Sequence, residues 1–164
     1  MTLADLVARW QDTITTNELA MRRQPLKRGH WAPHVVYTLW IRSEGLYKVG
    51  MSALYSRRRL DLRRSGRCLV EEIIVPHEYA ARLLEATVLV EVSTHHQRSG
   101  TLGWLKGSTE IWSDRRPPPS LKATFAAIND TTTLLGWRYP RGITIGDVAN
   151  PHPAAVPSPA PRFT

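Results

Sequence analysis

Cys68 is the sole cysteine among 164 residues. That excludes a disulfide within the chain and a thiolate-rich zinc site. No apolar run approaches the roughly 20 residues that cross a bilayer, so no membrane partner is expected. Acidic and polar residues come early, without the basic-then-apolar order of a secretory leader, and a cytoplasmic protein is the expectation. Three sequence signatures are also missing: the phosphate loop G-x-x-x-x-G-K-[ST], a G-x-G-x-x-G after a strand, and H-E-x-x-H. His95-His96 has no third ligand at a telling spacing, so no zinc site is expected there. Acids are also scarce: 14 Asp plus Glu stand against 22 Lys plus Arg, for a net charge of +8 and an isoelectric point near 10.2. That excess favours a polyanionic partner, whether DNA, RNA or an anionic surface.

What is present suits one modest domain with extensions, with 42% hydrophobic and 22% charged residues. Leu3, Leu6, Val7, Trp10 and Ile14 recur at helical spacing from 2 to about 18, with Thr2 as cap. This stripe should pack on the main domain or on a partner. Residues 1–30 therefore read as a helix and a basic linker that contains Arg22, Arg23, Lys27, Arg28 and His30. Residues 35–41, rich in β-branched and aromatic types, read as a strand. Arg42 to Gly45 is turn material, and Leu46 to Gly50 returns as the second strand of a hairpin. Residues 56–65 read as a short Arg-rich helix begun by Ser56 and ended near Gly66. Cys68 to Val75 is a third strand stopped by Pro76, in which Cys68 is expected to pack. Residues 77 to about 94 have helical spacing at Ala81, Leu84, Val88 and Val92. Gly107 to Ser113 forms a short later segment, and after the prolines at 117–119 a helix is expected over Ser120 to Ala127. The fold class expected is α/β: a small sandwich with a central three-stranded antiparallel or mixed sheet flanked by helices. Its core spans 31–115, a helical or irregular extension 116–149, and a disordered Pro- and Ala-rich tail 150–164.

Three groups of residues invite chemistry. Arg57, Arg58, Arg59, Arg63, Arg64 and Arg67 face a single acid, Asp61. Arg59 and Arg63 share a helical face. Guanidinium groups so placed clamp phosphates by paired hydrogen bonds, although an arginine run also suits a plain solvated helix. Glu85 stands among Ala81, Arg82, Val88 and Leu89 at one helical turn. A carboxylate in mostly apolar surroundings calls for a cation or a metal, and a hard divalent ion prefers such a ligand. The plainer alternative is an Arg82–Glu85 pair at a rim. Tyr37 and Lys48 lie on the facing strands of the hairpin. A tyrosine hydroxyl beside cations can orient or deprotonate a water, whereas an ordinary strand tyrosine merely packs.

The order Val35-Val36-Tyr37, a turn, Lys48-Val49-Gly50, then Arg59-Leu60 and later Glu85 resembles the GIY-YIG nuclease superfamily. Leu46 to Gly50 with Arg58-Arg59-Leu60 is similar to the phage- and bacterium-associated branch whose second motif reads Lys-Ile-Gly. Gly107-Ser108-Thr109-Glu110-Ile111-Trp112 resembles that branch's Gly-x-x-Glu-aromatic segment. The resemblance covers roughly residues 35–113. It implies a metal-dependent endonuclease that hydrolyses phosphodiester bonds in DNA, with the catalytic set Tyr37, Lys48, Arg59 and Glu85. Glu85 would hold one Mg2+ or Mn2+, Tyr37 would help activate the attacking water, and Arg59 would stabilise charge on the phosphate. Arg57, Arg58, Arg63, Arg64 and Arg67 would bind the nucleic acid.

The departures are specific. Lys48 stands where the second motif usually carries tyrosine, and would supply positive charge or lower the pKa of Tyr37. Tyr47, one residue earlier, should face the other side of the strand. The first motif lacks its glycine, and Arg63 replaces a frequent histidine or tyrosine. Two other readings use the same residues: a catalytically inactive nucleic-acid-binding module on the same fold, and an RNA-binding or structural protein. A homodimer or a partner protein would be the source of any sequence specificity.

Overall fold

A computed structural model describes residues 1–21, 32–56, 67–95 and 110–136. The Arg-rich segment at 57–66 and the Pro- and Ala-rich tail lie outside the described residues. So do Trp31, Trp104 and Trp137.

Helix α1 spans Leu3–Met21. Thr2 and Asp5 cap it reciprocally: the Asp5 amide donates to Thr2 Oγ1 at 3.2 Å. The Thr2 amide donates back to the Asp5 carboxylate at 2.7 Å. These bonds hold the Asp5 carboxyl below its ordinary range, the backbone bond first. The β1–β2 hairpin pairs His34–Ile41 with Leu46–Ala53 in antiparallel register, Tyr37 opposite Gly50 and Leu39 opposite Lys48. Its turn is a single 3-10 turn, Arg42–Glu44, closed by Gly45 at φ 62°. Glycine is needed there because a Cβ would be both left-handed and 3.3 Å from the Asp114 carboxylate.

Strand β3, Cys68–Val75, pairs antiparallel on the other side of β1, with Tyr37 opposite Glu72 and a register shift between Thr38 and Leu39. Helix α2 follows at Glu78–Glu91, strand β4 at Ile111–Ser113 and helix α3 at Leu121–Leu134. β4 pairs with β2, giving a four-stranded sheet in the order β3-β1-β2-β4. The three-stranded expectation is therefore corrected. A strand of three residues is too short to show a period in sequence. It is held by partners rather than by propensity: Ile111 packs with Ile41 and Leu46, and Trp112 stacks on Tyr47 at 5.9 Å.

Strand alternation divides the sheet. On one face Val36, Val49, Val75 and Trp112 join Leu6 and Val7 of α1, Ala81, Leu84 and Val88 of α2, and Leu121 and Ile128 of α3. Both flanking helices therefore pack on the main core. The reverse face carries Val35, Tyr37 and Leu39 as a separate cluster with Leu54. Cys68 is exposed, not packed, because it opens the edge strand β3.

Two helix starts are tied by side chains that the sequence did not flag. Glu71 on β3 accepts hydrogen bonds from the Leu121 and Lys122 amides at 2.8 and 3.1 Å and from Ser120 Oγ at 3.3 Å. A carboxylate thus meets the positive end of α3. His77 caps α2 by accepting the Ala80 amide on Nδ1 at 3.0 Å. Burial, and then the charge of His34, push its pKa down to about 4 from 6.5.

A histidine held neutral in the fold contributes stability that is complete above about pH 6.5. That contribution is lost as pH falls towards 4, since the unfolded chain takes up the proton first; the loss is about 3 kcal/mol. Urea unfolding of wild type and His77→Asn at several pH values checks this. Asparagine keeps the cap without titrating, so its stability should fall less steeply across that window. An equal slope would refute the assignment.

Candidate active site

Tyr37 and Lys48 come from neighbouring strands of the hairpin, and the register places them on one face. Residues directly opposite in an antiparallel pair point the same way, so Tyr37 shares its side with Gly50, Leu39 with Lys48, and Lys48 with Ile111. Tyr47 points to the opposite face, where it meets Trp40 and Trp112. This agrees with the expectation that it does not substitute for the motif tyrosine.

The Tyr37 ring lies directly over Gly50. A Cβ built on Gly50 would stand 2.8 Å from Tyr37 Oη and 2.9 Å from Cε2 and Cζ. Real carbon atoms do not approach that closely, so the glycine is required by the tyrosine rather than by its own backbone angles. This contact gives the Tyr37…Gly50 spacing a physical meaning.

Lys48 is buried at 2% exposure, and its ammonium donates to Glu110 Oε2 at 2.7 Å. Glu110 is 26% exposed. The Glu110 main chain also binds β2, its carbonyl accepting the Val49 amide at 3.1 Å. Tyr37 is as buried as Lys48. Two further polar groups share this face. Glu72 stands opposite Tyr37 on β3, and Ser52, opposite Val35, is buried with no hydrogen bond to its Oγ among the described residues.

Glu85 is half-buried on α2. Its apolar neighbours at helical spacing, Ala81 and Val88, enter the core formed with Val36 and Val49, and Leu89 packs against that core. α2 therefore covers the face of the sheet opposite to Tyr37 and Lys48. Among the described residues β4 pairs with β2 over Leu46 to Lys48, and the Val49 amide extends that pairing to the Glu110 carbonyl. Arg82, one turn away, pairs with Glu78, its Nε and Nη2 donating at 2.8 and 2.6 Å. Arg67 is partly buried at the entrance to β3. Arg57, Arg58, Arg59, Arg63 and Arg64 lie outside the described residues. Among the described residues no group of three or more His, Cys, Asp or Glu could hold a metal ion. His95 ends an exposed 3-10 turn, and His96 lies outside the described residues.

The structure thus gathers Tyr37, Gly50, Lys48 and Glu110, with Glu72 and Ser52 beside them, and sets Glu85 on a separate helix. Sequence reasoning reached Tyr37 and Lys48 from the motif. Glu110 was visible only as part of a short motif without a role. Glu72 and Ser52 carried no signal, because only the register reveals that they face the same way. No protein-family model, no curated protein and no solved structure matches the chain.

Gly50→Ala should cost about 1–3 kcal/mol, as overpacking does. The cost should shrink in a Tyr37→Val background, where the clashing ring is gone. Chemical denaturation of the two single variants and the double variant reads this coupling. Additive losses would show that the ring contact is not what requires glycine.

Proposed function

We propose that this chain is a metal-dependent endonuclease acting on DNA phosphodiester bonds, on a framework similar to that of the GIY-YIG nucleases. The reading rests chiefly on one observation: the motif tyrosine packs closely against the motif glycine, with the motif lysine one diagonal step away on the same face. The net charge of +8 suits a polyanionic substrate.

In this reading Tyr37 Oη orients or deprotonates the attacking water. Lys48 contributes positive charge beside it, and Arg59 steadies the phosphate as its charge develops. Glu85 holds the divalent cation. A hard divalent cation takes a carboxylate of this kind together with water and substrate phosphate oxygens. When bound, Mg2+ or Mn2+ would act as a Lewis acid on the phosphate. In this reading Glu85 on α2 and Tyr37 on the hairpin act on one phosphate from different elements of the fold. Arg57, Arg58, Arg63, Arg64 and Arg67 bind the backbone.

A second reading, a nucleic-acid-binding module without catalysis, is favoured by the burial of Tyr37 and Lys48, each 2% exposed. Cleavage of supercoiled plasmid with magnesium or manganese separates the two. Wild type should nick the plasmid, EDTA should stop it, and Glu85→Ala should lose cleavage while keeping most DNA affinity at matched salt. Folded wild type that binds DNA and cuts none would favour the silent module. A strong preference for RNA over duplex and single-stranded DNA would remove the DNA assignment.

A further inference from the structure

We propose that Glu110 is a positioning residue of this centre: its carboxylate holds the Lys48 ammonium in place on the sheet face that carries Tyr37. The inference rests on the nuclease reading above.

Lysine is a flexible cation whose charged end normally reaches water. Here it is buried to 2% exposure, and Glu110 stands 2.7 Å from its ammonium. An ammonium removed from water needs an oppositely charged, hydrogen-bonded neighbour to remain charged in one geometry. Glu110 is itself well anchored. Its carbonyl accepts the amide of Val49, the residue next to Lys48. Ile111, which follows it, stands opposite Lys48 in the β2–β4 ladder and packs on Ile41 and Leu46. Both the main chain and the side chain of Glu110 therefore grip the same stretch of β2. The three-residue strand β4 delivers a carboxylate to a point that the hairpin alone cannot supply. Lys48 and Tyr37 are diagonal neighbours across β1 and β2. Where Glu110 holds the ammonium thus decides where positive charge stands relative to the tyrosine hydroxyl. Since Glu110 is 26% exposed, changing its end group opens no cavity in the core.

The test is steady-state cleavage of duplex DNA by wild type, Glu110→Gln, Lys48→Met and the double variant, with melting curves to confirm folding. A group acting through Lys48 predicts that Glu110→Gln lowers kcat on the order of a hundredfold, the scale of loss when an active group is displaced by about 1 Å. KM for DNA should stay within about twofold, and the double variant should be no slower than Lys48→Met alone. Should Glu110→Gln not fold, Glu110→Asp serves instead: it keeps the charge but draws it back by one methylene, so kcat should fall to an intermediate value. Wild-type kcat in the variant that folds, a change confined to KM, or losses that multiply in the double variant would overturn the positioning role while leaving the nuclease reading intact. Absence of cleavage by folded wild type would overturn the nuclease reading and this inference with it.

Discussion

The contact between the Tyr37 ring and the bare α-carbon of Gly50 is the constraint from which the candidate site follows. It requires β1 and β2 to pair in one register, because a slip by one residue would turn Tyr37 into the helix-packed core and Val36 out of it. That register also sends Lys48 to the side of Tyr37 and Tyr47 to the side of Trp40 and Trp112. The apolar demand of one face and the aromatic–glycine contact of the other select the same pairing, which is why the hairpin is well specified.

Burying a lysine is the costly feature of this arrangement. A largely buried ion pair is weak support for stability, while removing one member leaves the other charged and poorly solvated. Lys48 and Glu110 fit that description. β4 is too short to stand by propensity and depends on Ile111, Trp112 and the backbone bond to Val49. The strand that fixes the pair is thus itself fixed by packing on both faces of the sheet.

Much of the framework was legible because it depends on local pattern. The apolar period of α1, the Thr2 cap, the β-branched run of β1 and the turn before Leu46 all signal themselves within a few residues. The α/β class followed, as did the assignment of Tyr47 to the other face. What failed depended on distant partners. β4 is three residues that become a strand only against β2. Glu71 looks like a strand surface residue until α3 docks on it. Cys68 belongs to a strand but opens its edge, so strand character did not imply burial. α3 runs to Leu134, well past the expected stop at Ala127, although Asn129 to Thr133 are poor helix formers. Thr131 and Thr133 return their hydroxyls to the Ala127 and Asn129 carbonyls at 2.8 Å, a local satisfaction that propensity does not foresee.

The site shows the same division. Tyr37, Lys48, Glu85 and Glu110 were accessible as motif positions, while Glu72 and Ser52 came only from register and the pairing of Glu110 with Lys48 only from the folded contact. The separation of Glu85 from Tyr37 by the sheet makes the tyrosine hydroxyl the most exacting point of the account. Single-turnover cleavage by Tyr37→Phe, which keeps the ring on Gly50 and removes one oxygen, tests it most directly. The account predicts a rate lower by roughly a hundredfold or more, the usual contribution of a positioned proton-transfer group, with DNA affinity unchanged. Cleavage at the wild-type rate would contradict it and leave Tyr37 as a packing residue.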